Sequence, residues 1–265
     1  MLVTSAHRPL ARQIVLRLLE DGGEVRAHGH GDLTALRAAG AFVAHGTPDD
    51  EGHLEAALAD VHTVIHVGAG VLSEDPEADV HHVEVLTAAA TGAGVARLIL
   101  LSVPDPGADG PGTVTLQGVK RTAESIVASA TVPSIVVRTS LVDTPTLRDA
   151  IVTGGLRSSV EVAPVDPRDL VELVVAFDAA RSRLRTGHLV ASADGPLTLA
   201  FDDWAAGVRD RGGLVGRRLP SEGALDTLRH ALDGRWTTTD DDVLDGWAFA
   251  GLTPTPPVGH VAGGT

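Results

Sequence analysis

Short apolar runs alternate with helix-like segments along the first 140 residues of this 265-residue chain. The runs Leu98–Leu101 and Ser134–Arg138 lack a polar residue at every second position, which is typical of strands covered on both faces. Strands that alternate with helices at this spacing form βαβ units around a parallel sheet. The pattern therefore predicts an α/β protein. The predicted strands are Leu2–Thr4, Glu24–His28, Ala41–Ala44, Val61–Val67, Leu98–Leu101 and Ser134–Arg138.

The helices predicted between these strands have recognisable ends. Asp21-Gly22-Gly23 closes the first helix, and Asp32 and Gly40 bracket the second. Thr47-Pro48-Asp49-Asp50 predicts a helix start, with proline at the first position and acids in the first turn. The predicted helices are Leu10–Glu20, the segment between Asp32 and Gly40, Thr47–Ala59, Ala78–Gly92 and Val119–Ser129.

The alternation weakens after Leu141. A helix is predicted over Leu170–Ala180, a strand over His188–Ala191 and a helix over Phe201–Arg209, and the tail from Leu252 is rich in proline and glycine. The organisation favours a Rossmann-like, doubly wound parallel sheet with a small C-terminal lobe on the substrate side. Residues 1–150 are expected to form the core, and residues 151–265 a lobe interleaved with it.

Composition limits the classes of function. The net charge is −14, which disfavours nucleic acid as a partner because an acidic surface repels phosphates. Cysteine is absent, which excludes disulfides and thiolate chemistry. No apolar run reaches the length of a membrane span, and the first residues do not resemble a secretory signal, so we expect a cytoplasmic protein without a membrane partner. Tyrosine is also absent, and Lys120 is the single lysine.

Four segments in their order along the chain resemble one protein family. They are VHTVIHVGAG (61–70), AAATGAGVARLILLS (88–102), VPSIVVRTSLV (132–142) and APVDPRDLVELV (163–174). With them the chain resembles an atypical or extended short-chain dehydrogenase/reductase, close to the NmrA-like and NAD-dependent epimerase/dehydratase groups, over roughly residues 1–200. The resemblance implies a Rossmann fold with a site for NAD(P) at the carboxyl ends of its strands.

The first turn departs from the family pattern Thr-Gly-Ala-Thr-Gly-x-x-Gly. Those glycines make a tight bend, let the backbone approach the pyrophosphate, and let helix pack on strand. In TSAHRPLA their places are taken by Ser5, Arg8 and Ala11. If the bend needs a positive φ, Ser5 costs about 1 kcal/mol. Arg8 either pairs with a phosphate as a charged fork or fills the site and excludes the cofactor.

Other positions implied by the resemblance to contact the cofactor have changed as well. His30 falls where the family often has an arginine for the 2′-phosphate, and Thr47 falls where it has an aspartate for the adenine. A helix-capping role is the alternative for Thr47. The expected cofactor set is completed by the first turn, the turn after the fourth strand and the lysine: Ser5, His7, Arg8, Pro9, Leu10, Gly68, Ala69 and Lys120. We expect no NADP(H) binding, or weak binding.

The family's catalytic Tyr-x-x-x-Lys is represented by Leu116 and Lys120. Leucine cannot transfer a proton, and no other phenol is present in the chain. Lys120 remains a candidate for binding a ribose, carboxylate or carbonyl oxygen, with a solvated helix lysine as the alternative. Ser102 stands where the family keeps a hydroxyl near the substrate carbonyl, although a plain strand end is equally consistent with it.

Two further residues are catalytic candidates. His7 lies at the mouth of the predicted sheet, where a histidine can act as a general base, or is simply a solvated loop residue. Asp143 faces the substrate cleft or caps a turn with Thr144 and Pro145. His66 is expected to be structural, and no histidine spacing predicts a metal site.

Three functions stay open at this point. The first is a non-redox enzyme that performs a cyclisation, elimination or isomerisation on a small hydrophobic metabolite. The second is an NADP(H)-dependent reductase with an unusual turn, and the third is a non-catalytic nucleotide or metabolite sensor. The missing tyrosine disfavours the second function. The loop Val103–Thr115 and the C-terminal lobe are expected to cover the substrate, and a homodimer is left open because no interface is recognisable.

Overall fold

Eight parallel strands form one sheet in the computed structural model, which describes residues 1–47, 49–104, 115–180, 187–210, 220–238 and 243–257. The strand order is β3-β2-β1-β4-β5-β6-β8-β10. The order reverses between β1 and β4, which is the switch point where ligands bind in doubly wound sheets. The strands are β1 (Leu2–Val3), β2 (Arg26–Gly29), β3 (Phe42–His45), β4 (Thr63–His66), β5 (Arg97–Ser102), β6 (Ser134–Arg138), β8 (His188–Ser192) and β10 (Leu244–Asp245).

Helices cover both faces of this sheet. The helices are α1 (Pro9–Glu20), α2 (Thr34–Ala38), α3 (Glu51–Leu58), α4 (Ala78–Gly92), α5 (Leu116–Ser129), α6 (Pro145–Thr153), α7 (Pro167–Ala179), α8 (Phe201–Asp210), α9 (Glu222–Ala231) and α10 (Gly246–Ala250). Helix α1 packs beside α7 on one face, and α3, α4 and α5 pack in a row on the other. The predicted Rossmann-like α/β fold is confirmed.

Two apolar cores result, one on each face of the sheet. Along β5, Ile99 points into the core beneath α1 and α7, whereas its neighbours Leu98 and Leu100 point into the core beneath α4 and α5. All three side chains are buried. Because successive side chains of a strand point to opposite faces, the middle of a strand covered on both faces is apolar at consecutive positions. This requirement explains the continuous apolar run that the sequence shows.

A third apolar core belongs to a small lobe at the carboxyl edge of the sheet. Helices α6, α8 and α9 surround it, together with an antiparallel pair of short strands, β7 (Glu161–Val162) and β9 (Leu199–Ala200). Trp236 is fully buried in this core. Other parts of the same region of sequence, among them α7, β8 and β10, return to the main sheet.

Local structure departs from the sequence-based expectations in several places. Thr47 does not cap α3, because the Asp50 carboxylate accepts the capping hydrogen bond from the His53 amide at 3.1 Å. Helix α5 begins at Leu116 rather than at Val119, since the Thr115 hydroxyl caps it. Helix α6, capped by Thr144 with Pro145 in its first turn, was not anticipated.

Two of the expectations concern segments that the structure describes only in part. Residues 105–114 of the expected covering loop and residues 258–265 of the tail lie outside the described residues. Across the part of the chain that the structure describes, no helix is both long and apolar enough to cross a membrane.

Candidate functional site

A cavity of about 420 Å³ lies at the switch point. It lies at the carboxyl ends of the central strands, where the first turn, the turn after β4 and the end of β5 meet the lobe. Its wall is mostly aliphatic and includes one indole ring. The apolar lining residues are Pro9, Leu10, Val67, Ala69, Val71, Leu72, Leu101, Val103, Leu141, Val142, Leu147 and Trp236.

The first turn bends sharply at Ser5, whose φ is +53°. The Ala6 amide donates to the His28 carbonyl, and the Arg8 amide donates to the Ser5 carbonyl at 2.8 Å. These bonds fix the turn against β2 and close it upon itself. The bend therefore has the positive φ for which glycine is the usual residue, and Ser5 adopts it at a conformational cost.

Arg8 lines both the large cavity and a smaller one of about 80 Å³. It is the N-cap residue of α1, but its side chain makes no cap hydrogen bond. Its half-buried guanidinium has no hydrogen bond or ion pair with any described residue. Burial lowers the pKa of Arg8, and the charge of Asp79 opposes that shift. Arg8 is thus a cation at the cavity wall that no direct counter-ion neutralises.

The small cavity is narrowed by two histidine rings. The ring centroids of His7 and His30 are 3.8 Å apart. Behind them, the backbone of Gly29 approaches so closely that an added Cβ would lie 3.1 Å from His7 Nδ1. Burial, followed by the nearby charges of His30 and Arg8, lowers the pKa of His7 to about 4. His7 is therefore neutral at pH 7, and the first turn is packed directly against the end of β2.

Lys120 belongs to a buried polar chain that crosses the site. Its ammonium donates to Asp79 Oδ2 at 2.8 Å, while Asp79 Oδ1 lies 3.2 Å from His66 Nε2. The other ring nitrogen of His66 lies 2.9 Å from the Thr4 hydroxyl. All four residues are at most 3% exposed. The alternative expectation for Lys120, a solvated helix lysine, is wrong.

Asp79 is the acidic member of this buried polar chain, and it was not singled out from the sequence as a candidate or structural residue. It lies in the first turn of α4, where an acidic residue is ordinary because it favours the helix dipole. Burial alone would raise the pKa of Asp79, but Lys120 and His66 outweigh it and hold that pKa well below its usual range. Its partner lies 41 residues further along the chain, so no local signal marks the pair.

Ser102 also has an internal partner. Its hydroxyl donates to Glu124 Oε1 at 2.5 Å, and the Arg138 guanidinium pairs with the same carboxylate at 2.7 Å. Ser102 lines the large cavity, but in this arrangement its proton points to Glu124. Leu116, in the place of the family's tyrosine, is buried in the core of the lobe.

Neighbouring hydroxyls are engaged in the same way. Ser140 donates to the Trp236 carbonyl at 2.6 Å and accepts from the Ala163 amide, and the Thr139 hydroxyl bonds to the Ala193 carbonyl. These bonds attach the segment that carries Trp236 to the end of β6. The cavity wall therefore has less hydrogen-bonding capacity than its serines and threonines suggest.

Asp143 is not among the residues that line the cavity, although its neighbours Val142 and Thr144 are. Its carboxylate is 2% exposed and forms two bonds with Arg148, at 2.6 and 2.8 Å. The cap of α6 is Thr144 rather than Asp143. Both roles that the sequence suggested for Asp143 are thus replaced by an ion pair.

The remaining expected cofactor residues differ in which cavity they line. Gly68 and Ala69 line both cavities, and Pro9 and Leu10 line the large one. Ser5 and His30 line the small cavity, whereas Thr47 lines neither. Among the residues described, no group of three or more histidine or acidic side chains is arranged to hold a metal ion.

Taken together, the parallel sheet, its strand order and the site at its switch point define a Rossmann-like α/β protein. No protein-family model matches the sequence, and a comparison with curated proteins finds no match. Similar solved structures extend over almost the whole chain, and at 15 to 18% identity they establish the fold alone.

Three of these structures illustrate the range. A nucleoside-diphosphate-sugar epimerase from Staphylococcus aureus is 15% identical, with a TM-score of 0.74 over 97% of this chain and 98% of that one. The triphenylmethane reductase of Citrobacter sp., complexed with NADP(H), is 18% identical, with a TM-score of 0.71 over 96% of each chain. MoeE5 in complex with UDP-glucose and NAD is 17% identical, with a TM-score of 0.69 over 96% of this chain and 93% of that one.

The fold implies a dinucleotide whose pyrophosphate lies at the N-terminus of α1. At this N-terminus Arg8 lines both cavities, whereas Pro9 and Leu10 line only the large one. The Arg8 side chain occupies the place of the glycine that lets the backbone of a dinucleotide-binding turn approach the pyrophosphate. In the small cavity Asp75 and Asp79 lie on the wall, and the rings of His7 and His30 narrow the space. These residues do not fit a pyrophosphate.

Proposed function

We propose that this chain is an atypical short-chain dehydrogenase/reductase-like protein that binds a small hydrophobic metabolite and acts on it by non-redox chemistry, without a dinucleotide. The observation that carries the proposal is the contrast between the two cavities. The apolar one, at about 420 Å³, is in the range of small-molecule sites, whereas the one beside His7 and His30 has only about 80 Å³ and is lined by two carboxylates. The larger space for a ligand therefore lies where the central strands meet the lobe.

The polar groups on the cavity wall suit a step in which negative charge develops on a substrate oxygen. Arg8 lines the cavity and supplies positive charge for a forming enolate or alkoxide, whereas the charge of Lys120 is matched by Asp79. His7 is neutral at pH 7 and can accept a proton, although its pKa of about 4 limits it to acidic C–H groups. An isomerisation needs nothing more, because the proton removed from one carbon is returned to another.

A second function is favoured by a different observation. The hydroxyls of Ser102, Thr139 and Ser140 all donate to internal acceptors, so the wall offers few groups for proton transfer. A metabolite sensor without catalysis would need only the apolar cavity and its cations. In either case we propose a small-molecule ligand, a cytoplasmic location and no nucleic-acid or membrane partner, and the homodimer stays a prediction.

The first experiment is a calorimetric titration of the purified protein with NADPH, NADP+, NADH and NAD+, after absorbance has shown that no nucleotide co-purified. We expect no binding up to millimolar concentration. Micromolar binding of any of the four would overturn the proposal and return the protein to the reductases.

The second experiment tests the cavity itself with the neutral probe 2-naphthamide. Leu72 lines the cavity and is partly buried, so Leu72→Trp should fill the cavity and abolish binding. Leu16→Trp makes the same change on the exposed side of α1 and should leave binding unchanged. Equal binding by both variants would contradict the assignment of this cavity as the ligand site.

Turnover separates the two functions. Proton NMR spectra of a metabolite mixture, recorded before and after incubation with the protein, detect isomerisation even though mass is unchanged. A new product that does not form with the Leu72→Trp variant supports the enzyme. Bound but unchanged metabolite supports the sensor.

A further inference from the structure

Of the two cations that line the large cavity, one has a counter-ion and the other has none among the described residues. This difference indicates the charge of the ligand that the cavity binds. Two cations line the cavity, Arg8 and Lys120. The ammonium of Lys120 is matched by Asp79 at 2.8 Å in a buried ion pair. The guanidinium of Arg8 has no such partner among the described residues. Among the described residues, Arg8 is therefore a positive charge without a direct counter-ion on the wall of a mostly apolar cavity.

A half-buried guanidinium without hydrogen-bond partners raises the free energy of the folded state, and a bound anion would lower it. Arginine presents a planar fork of N–H donors that matches a carboxylate in two parallel hydrogen bonds. Most lining side chains of the cavity are aliphatic, and the hydroxyls of Ser102 and Ser140 donate elsewhere. The ligand is thus recognised by apolar contact along its body and by charge at one end.

The charge of the ligand can also be inferred from the surroundings of Arg8. Asp75 and Asp79 line the small cavity, which Arg8 lines as well. Since Lys120 matches the charge of Asp79, the Asp75 carboxylate is the negative charge that lowers the potential there. A phosphate monoester, which carries nearly two negative charges at pH 7, would be repelled by Asp75. A carboxylate carries one charge, which is what Arg8 leaves unmatched.

We propose that the large cavity takes a compact hydrophobic carboxylic acid, whose carboxylate is held by the Arg8 guanidinium and whose apolar body lies against the cavity wall. This inference rests on the proposed function, since it names the class of ligand for the same cavity. Arg8, in the place of a family glycine, is then the residue that determines specificity.

The test compares three ligands with one ring system: 2-naphthoate, 2-naphthamide and 2-naphthyl phosphate. Calorimetry on the wild-type protein at pH 7 should show naphthoate binding at least about tenfold more tightly than the amide, which is the range for a hydrogen-bonded charged pair. The phosphate should bind more weakly than the carboxylate.

The variant Arg8→Gln should lose the preference for naphthoate over naphthamide while its affinity for the amide stays the same, which also shows that the variant is folded. Arg12→Gln is the control, because Arg12 lies on the same helix, lines neither cavity and donates to the Asp32 carbonyl. It should keep the preference.

Each other outcome overturns the inference in a recognisable way. Equal binding of acid and amide by the wild-type protein rejects the carboxylate but leaves the proposed apolar site intact. Tighter binding of the phosphate assigns Arg8 to phosphate recognition instead. Failure of all three probes to bind contradicts the proposed function itself as well as this inference.

Discussion

Asp79→Asn tests the buried chain at the centre of the site. The substitution keeps the shape of the side chain but removes the charge that Lys120 faces at 2.8 Å. Both side chains are at most 3% exposed, so the ammonium would be left buried without a counter-ion. Breaking a buried pair in this way costs about 3–5 kcal/mol of unfolding free energy. For a chain of this size the melting temperature should fall by about 6–20 °C.

The measurement is urea unfolding followed by circular dichroism, with calorimetry for the melting temperature, at pH 7. Asp226→Asn is the control, because Asp226 pairs with Arg229 on the surface of α9 and should cost at most about 1 kcal/mol. The double variant Asp79→Asn with Lys120→Met removes both charges and should be more stable than either single variant.

The pH dependence of the unfolding free energy of the wild-type protein tests the same ion pair independently. The pKa of Asp79 is held well below its unfolded value of about 3.9, so its contribution is fully present above that pH. That contribution is lost as the pH falls through the folded pKa. The reasoning is refuted if Asp79→Asn costs less than about 1 kcal/mol, or if the double variant loses the sum of the two single losses.

Three further predictions concern single positions and are read out by urea unfolding. Ser5→Gly should raise the unfolding free energy by up to about 1 kcal/mol, because relief of the left-handed φ of +53° exceeds the added freedom of the unfolded chain; a loss would show that the bend is unstrained. Gly68→Ala should lower it by about 2 kcal/mol or more, since φ is +60° and the new Cβ would lie 2.6 Å from Asp79 Oδ2; an unchanged midpoint would contradict that contact. Burial raises the pKa of Asp194 to about 6, so the folded state binds more protons than the unfolded state between pH 4 and 6 and stability falls as the pH rises through that window. Asp194→Asn should flatten this profile and stabilise the protein at pH 7, while Asn still accepts the bond from the Thr238 amide; an unaltered profile would assign the slope to another group.

Much of the fold could be predicted from the sequence because its cause is local. A strand buried on both faces is apolar along most of its length, and a helix on its surface repeats apolar residues at its own period, so β5 and α1 can be recognised from the sequence alone. Elements that depend on contacts made only after folding were not predicted. Helix α6 has only nine residues and is held by its Thr144 cap and by the lobe it packs in, neither of which gives a long periodic signal.

The candidate site was only partly predictable. The order of strands and helices, together with the family resemblance, predicted that Arg8 and Lys120 lie near the carboxyl ends of the central strands, and both line the cavity. Their ionic state did not follow, since it depends on Asp79, which reads locally as an ordinary first-turn acid. The same is true of Ser102, whose hydroxyl is taken by Glu124 from a helix 22 residues away.

The sequence by itself therefore determined the alternation of strands and helices, the absence of a phenol and a thiol, and the loss of glycines from the first turn. Only the tertiary structure decided which charges are matched. The strength of an ion pair depends on distance and burial, and both are set by parts of the chain that meet only after folding. The sequence shows Arg8 and Lys120 only as two basic residues. In the part of the chain that the structure describes, Lys120 has an ion-pair partner and Arg8 has none, which makes Arg8 available to a ligand.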